Sequence, residues 1–131
     1  GPVGLFAAKS AWLMGAGRVI VVDHLDYRLE KAVSFAHAEI INFTQVDDII
    51  VYLKKITDGL GADVCIDAVG AEADGAFFQH VTSTKLKMQG GSPVALNWAI
   101  DSVRKAGIIS VVGAYGPLFS AIKFGDAFNK G

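Results

Sequence analysis

A single cysteine, Cys65, stands in a chain of 131 residues. That scarcity excludes an internal disulfide framework and any zinc site built from several cysteines. A reducing compartment, by default the cytoplasm, fits it. No charge of either sign dominates: 12 Lys and Arg stand against 13 Asp and Glu, for a formal net charge of −1. The basic residues are scattered, so no field is set up to attract nucleic acid or an anionic membrane surface. A long uninterrupted apolar run is also missing. In the most membrane-like stretch, 5–22, Lys9 and Arg18 intrude and Gly15 and Gly17 divide it, so it is too short and too charged to span a bilayer. As a signal peptide it lacks a basic region ahead of it, and an acid closes it. The three histidines, His24, His37 and His80, are dispersed, and none has a partner at metal-ligand spacing; surface or capping roles are expected of them.

What is present is apolar. Hydrophobic residues make up 52% and charged residues 19%, enough for a substantial core in one domain and consistent with a small ligand. Pro2 suits a first helical position, and the mostly apolar segment 2–14 predicts a buried helix, stopped by Gly15-Ala16-Gly17. "RVIVVD" (18–23) reads as a strand buried on both faces. Leu29, Ala32, Val33 and Ala36 recur at spacings of three and four and predict a helix from Asp26 to His37. "EIINF" (39–43) is the next strand. A helix over 46–57 carries Asp47 and Asp48 early and Lys54 and Lys55 late, complementing its dipole. "DVCIDAV" (63–69) is a further buried strand. Ser92-Pro93 opens a helix that Gly107 closes, and "IISVV" (108–112) follows as a strand. This alternation predicts an α/β fold with a parallel sheet, right-handed crossovers and helices on both faces. Segment 71–91 is longer than ordinary connections, and such loops are usually functional or mobile.

The chemistry lies in the spacing at the start. If Gly1 to Gly4 form a turn into helix 2–14, the backbone N–H groups of its first turn are unpaired and make an anion site. A helix rising ~1.5 Å per residue and a strand returning ~3.3 Å per residue bring Asp23 back beside Gly1, at the edge where open α/β folds bind ligands. Asp23 lies 19 positions beyond Gly4, close to the roughly 20-residue offset of the dinucleotide fingerprint. Its carboxylate can accept hydrogen bonds from ribose hydroxyls and would repel a 2′-phosphate, which favours NAD over NADP. Arg28 begins the following helix and suits a ribose contact or a lid on the adenine ring; a solvated surface charge is the alternative. "DAVG" (67–70) and "VVGAYG" (111–116) end strands at the same edge, where their glycines allow close backbone approach or simply turn the chain.

No catalytic constellation is visible. Cys65 in its apolar strand reads as a small core residue rather than a nucleophile. Lys85, Lys87 and His80 make the long segment locally basic, a solvated face before a phosphate clamp.

With these residues in view, "GPVGLFAAKSAWLMGAGRVIVVD…R", "GADVCIDAVG" and "VVGAYG…FGDAFNKG" resemble the cofactor domain of the zinc-dependent, medium-chain alcohol dehydrogenase family. The formaldehyde dehydrogenase-like members are the most similar, and the resemblance spans essentially the whole chain. It implies a Rossmann-type doubly wound sheet over 1–131. It also implies hydride transfer between an alcohol, or an aldehyde hydrate, and NAD, with a catalytic zinc polarising the substrate oxygen. By position, Gly1, Pro2, Val3 and Gly4 would meet the pyrophosphate, Asp23 and Arg28 the adenosine ribose, and Val69, Gly113, Ala114 and Tyr115 the nicotinamide. In some members the extended loop covers the adenosine end. The zinc ligands and proton relay belong to a separate substrate domain, so this chain alone would not be catalytic; a homo-oligomer is implied for the parent protein.

The resemblance further implies that the sheet lacks its first and last strands, leaving a hole between 18–23 and 63–69. Such a chain is expected to be unstable alone, to pair with another chain, or to be an excerpt of a longer protein. Two other readings stay open: a nucleotide-sensing module without chemistry, and an S-adenosylmethionine-dependent methyl transferase using the same acidic ribose contact.

Overall fold

The computed structural model of the chain describes residues 1–69, 93–113 and 122–131. The long segment 71–91, with His80, Lys85 and Lys87, lies outside them, as do Gly70, Ala114 and Tyr115. The first helix, α1, runs Pro2–Leu13 with Pro2 in its first turn, where a missing N–H costs nothing. Strand β1 follows at Ile20–Asp23, then helix α2 at Asp26–Ala36 and strand β2 at Glu39–Asn42. Phe43 does not extend that strand as expected; it opens a short 3-10 turn, Phe43–Gln45, capped by the Asn42 side chain.

Helix α3 is shorter than the pattern predicts, Ile49–Lys55, because Asp48 stops it from the outside. The Asp48 carboxylate accepts the N–H groups of Ile50 and Val51 at 2.8 and 3.0 Å, an N-cap rather than a first-turn acid. Lys54 and Lys55 do occupy the last turn. Strand β3 is Ala62–Asp67, helix α4 Val94–Ser102, strand β4 Val103–Val111 and helix α5 Phe124–Phe128.

Gly107 does not close α4. That helix ends at Ser102 and β4 begins at Val103, with Gly107 inside the strand. The cause is a bulge: Ala62 pairs with Val103, yet Val64 pairs with Ile108. A Cβ on Gly107 would lie 2.5 Å from Val103 Cγ2 and 2.9 Å from the Asp63 carbonyl oxygen, so the tight crossing admits only glycine.

Both strand pairs are parallel. β1 pairs with β2 from Ile20↔Glu39 to Asp23↔Asn42, and β3 pairs with β4 up to Asp67↔Val111. Among the described residues the two pairs form separate two-stranded sheets with no hydrogen-bonded ladder between β1 and β3. The strands are less buried than their apolar runs suggest. Val64 and Ile66 of β3 are 48% and 43% exposed, and among the described residues β3 has a strand neighbour on one side only.

Small side chains set the core on the first half. Ala8, Val19, Ala36 and Ala38 form a buried cluster, and α1 packs on α2, β1 and β3. Trp12 extends over this junction and donates its indole N–H to the Ala36 carbonyl at 2.8 Å. On the second half α4 packs on α3, β3 and β4. An edge-on ring contact, Phe43 against Trp98 with centroids 5.1 Å apart, ties the end of β2 to α4.

Candidate functional site

Parallel strands all discharge their chain at one edge, and the residues of interest lie there. α1 starts at that edge because its N-terminal turn packs against the exit of β3: a Cβ on Gly4 would sit 3.6 Å from the Ala68 Cβ. This is ordinary van der Waals contact, so among the described residues no clash forces glycine at that position. Gly1 caps α1 with its backbone only, its carbonyl accepting the Leu5 N–H at 3.1 Å. No side chain caps the helix, so the amides of Pro2-Val3-Gly4, less the one proline lacks, are open to an anion.

Asp23, the last residue of β1, comes to this turn as its spacing predicts. The backbone nitrogen of Gly1 lies within electrostatic reach of both Arg28 and Asp23. Three groups therefore share one electrostatic neighbourhood. Asp23 Oδ1 accepts the N–H groups of His24 and Leu25 at 2.7 and 3.2 Å, which fixes the carboxylate as the chain turns into α2. Its Oδ2 faces Arg28 Nη1 at 3.9 Å. Arg28 Nε donates to the Tyr27 hydroxyl at 3.0 Å, and the guanidinium lies 5.7 Å from the centre of that ring. The side chain of Asp23 is 17% exposed and that of Arg28 41%, an arrangement that leaves both reachable.

His24 sits 3.5 Å, by Nδ1, from Asp23 Oδ1 and against the Phe43 ring. His37 takes the left-handed conformation (φ 52°) that ends α2, the capping role its position suggests. Among the described residues no three His, Cys, Asp or Glu side chains come together as a metal site. Cys65 is half-buried in β3, and burial pushes its thiol up to about 11, so it is a packing residue and no thiolate ligand. The described residues thus do not fit a zinc ion.

A residue the sequence leaves unmarked is Asp67, which opens "DAVG" and is the acid of the site that lies deepest, 3% exposed at the end of β3. Its Oδ1 accepts the Val69 N–H at 3.1 Å. Its backbone carbonyl accepts two amides from the exit of β4, Val112 at 2.9 Å and Gly113 at 3.0 Å. Oδ2 has no hydrogen-bond partner among the described residues, and burial raises the carboxyl above its usual range, with the Val69 bond opposing. A carboxylate following the apolar run Val64-Cys65-Ile66 is the available signal.

Val69 and Gly113 are therefore both tied to Asp67 at the shared edge, while Ala114 and Tyr115 lie outside the described residues. No helix among the described residues is long and apolar enough to cross a membrane.

Known proteins resemble this chain in sequence and fold. The zinc-binding dehydrogenase family matches residues 2–84. An "uncharacterized zinc-type alcohol dehydrogenase-like protein" of Bacillus subtilis is 45% identical over 130 residues, 99% of this chain and 34% of that protein. The glutathione-independent formaldehyde dehydrogenase of the same organism is 37% identical over 116 residues, 88% of this chain and 26% of its own length. Among solved structures, 2R,3R-butanediol dehydrogenase from Bacillus subtilis superposes with a TM-score of 0.77 at 25% identity, over 99% of this chain and 30% of that one. The chain thus spans about a third or less of the length of these relatives. Parallel strands with an acid closing β1, a near-complete alignment and a family match across α1, β1, α2, β2, α3 and β3 agree, and the chain belongs to the zinc-binding dehydrogenase family.

Proposed function

We propose that residues 1–131 are the NAD(H)-holding part of an alcohol dehydrogenase-type oxidoreductase, a partial Rossmann domain whose zinc and substrate groups lie outside it. The observation that carries this reading is the meeting, at one sheet edge, of the uncapped first turn of α1 with the Asp23 and Arg28 pair. The open amides at Val3 and Gly4 suit a pyrophosphate. Asp23 Oδ2 is placed to accept ribose hydroxyls, and its charge discriminates against a 2′-phosphate. Arg28 flanks the adenosine, steadied by Tyr27. Val69 and Gly113, followed by Ala114 and Tyr115, take the nicotinamide end.

Bound there, NAD supplies the acceptor for a hydride from an alcohol or aldehyde-hydrate carbon. The chain's own part is to bind, orient and select. The relatives named as alcohol and formaldehyde dehydrogenases support a small alcohol or aldehyde as substrate, and formaldehyde is the narrower form of that proposal. A cytoplasmic homo-oligomer belongs to the same reading, supported by the single unpaired cysteine and by the family.

Thermal unfolding of the protein that carries this chain tests it. NADH at a hundred times its dissociation constant is expected to stabilise by about 2.7 kcal/mol, with NADPH weaker. No shift with millimolar NADH overturns the reading, and a shift with S-adenosylmethionine instead selects the methyl transferase.

A further inference from the structure

We propose that Asp67 is a positioning residue for the nicotinamide end of the site, holding the exits of β3 and β4 in one register; this rests on the cofactor reading above. A carboxyl 3% exposed with one oxygen unpartnered among the described residues is costly to bury, so stability alone does not account for it at the end of β3. What it does locally is specific. Oδ1 accepts the amide of Val69, two residues on, at 3.1 Å, closing an Asx turn that redirects the chain as it leaves β3.

The same residue's carbonyl accepts Val112 and Gly113 from the neighbouring strand. Asp67 thereby sets two chain exits from one point. The two carbonyl bonds belong to the backbone and survive any side-chain change. The Oδ1 bond does not, so substitution releases Val69 while leaving Gly113 tied. The Gly1, Asp23 and Arg28 cluster is held by other contacts and stays in place.

That asymmetry makes the test. NADH and ADP-ribose, which lacks the nicotinamide, are titrated by calorimetry into the full protein and its Asp67→Ala, Asp67→Asn and Asp67→Ser variants. Asp67→Ala is expected to weaken NADH about tenfold or more and to leave ADP-ribose within about twofold. Asp67→Asn retains the accepting oxygen and is expected to bind NADH within about threefold of the unaltered protein, with Asp67→Ser between. If Asp67→Ala fails to fold, the Asn and Ser variants carry the comparison. Equal weakening of both ligands, or no difference among the variants, overturns the positioning role while leaving the cofactor reading intact. Failure of the unaltered protein to bind either ligand overturns both.

Discussion

Arg28 and Asp23 face each other at 3.9 Å, Nη1 to Oδ2, across the turn that joins β1 to α2. The separation is too long for a hydrogen bond. It leaves an acceptor oxygen and a cation pre-aimed at one spot without consuming either, while the other oxygen of Asp23 is occupied by the amides of His24 and Leu25.

Those two uses of one carboxylate can be separated. Asp23→Asn keeps an oxygen for the two amides but removes the charge, and it is expected to weaken NADH by about tenfold, the worth of one charged hydrogen bond. It also narrows the preference for NADH over NADPH, because the repulsion of a 2′-phosphate is gone. Parallel titrations of the two cofactors check both effects.

Two glycines with similar backbones should respond differently to alanine. Gly61 has φ +95°, and a Cβ there would lie 2.5 Å from the Ser102 carbonyl oxygen. Gly59 has φ +80° with nothing within 4 Å. Gly59→Ala is expected to cost about 1 kcal/mol, the left-handed penalty alone. Gly61→Ala adds the clash with the bulged β4 and costs about 2 kcal/mol more. Urea unfolding midpoints of the two variants give the comparison.

Cys65 should be inert in the folded protein. With the thiol pushed up to about 11 by burial, the thiolate fraction at pH 8 is on the order of one in a thousand. Modification by a disulfide reagent is expected to be slow in buffer and to become rapid in denaturant; fast labelling of the native state contradicts the burial.

Asp67 gives the stability curve a definite sign. Burial raises its folded carboxyl above the value in the unfolded chain, so the native state holds the proton more tightly. The stability contributed by this group is full below the unfolded carboxylate range, ~4, and is lost as pH rises through the raised folded value. Asp67→Asn lacks this titration. The stability of the Asn variant minus that of the unaltered protein is therefore expected to increase with pH from that range upward, read from denaturant midpoints.

The return of β1 to the start of α1 was legible in the sequence, because it depends on counts of residues and the fixed rise of helix and strand. Asp23 and Arg28 followed from it. The element ends at Asp48 and Gly107 were misplaced for a different reason. Asp48 competes with the helix for its own amides, and the bulge that draws Gly107 into β4 exists only once β3 lies alongside. Asp67 escaped notice because its depth is a property of packing: in the string of letters it is one more strand-ending acid, like Asp23.

The Phe43 and Trp98 contact has a bearing on how the molecule holds together. Among the described residues the two strand pairs share no ladder, so backbone pairing does not tie them together. The edge-on rings, together with α1 lying on both β1 and β3, couple them through side chains. The half carrying Asp23 and the half carrying Asp67 are therefore joined by apolar contact, and a ligand spanning both would act as a second rivet across the same seam.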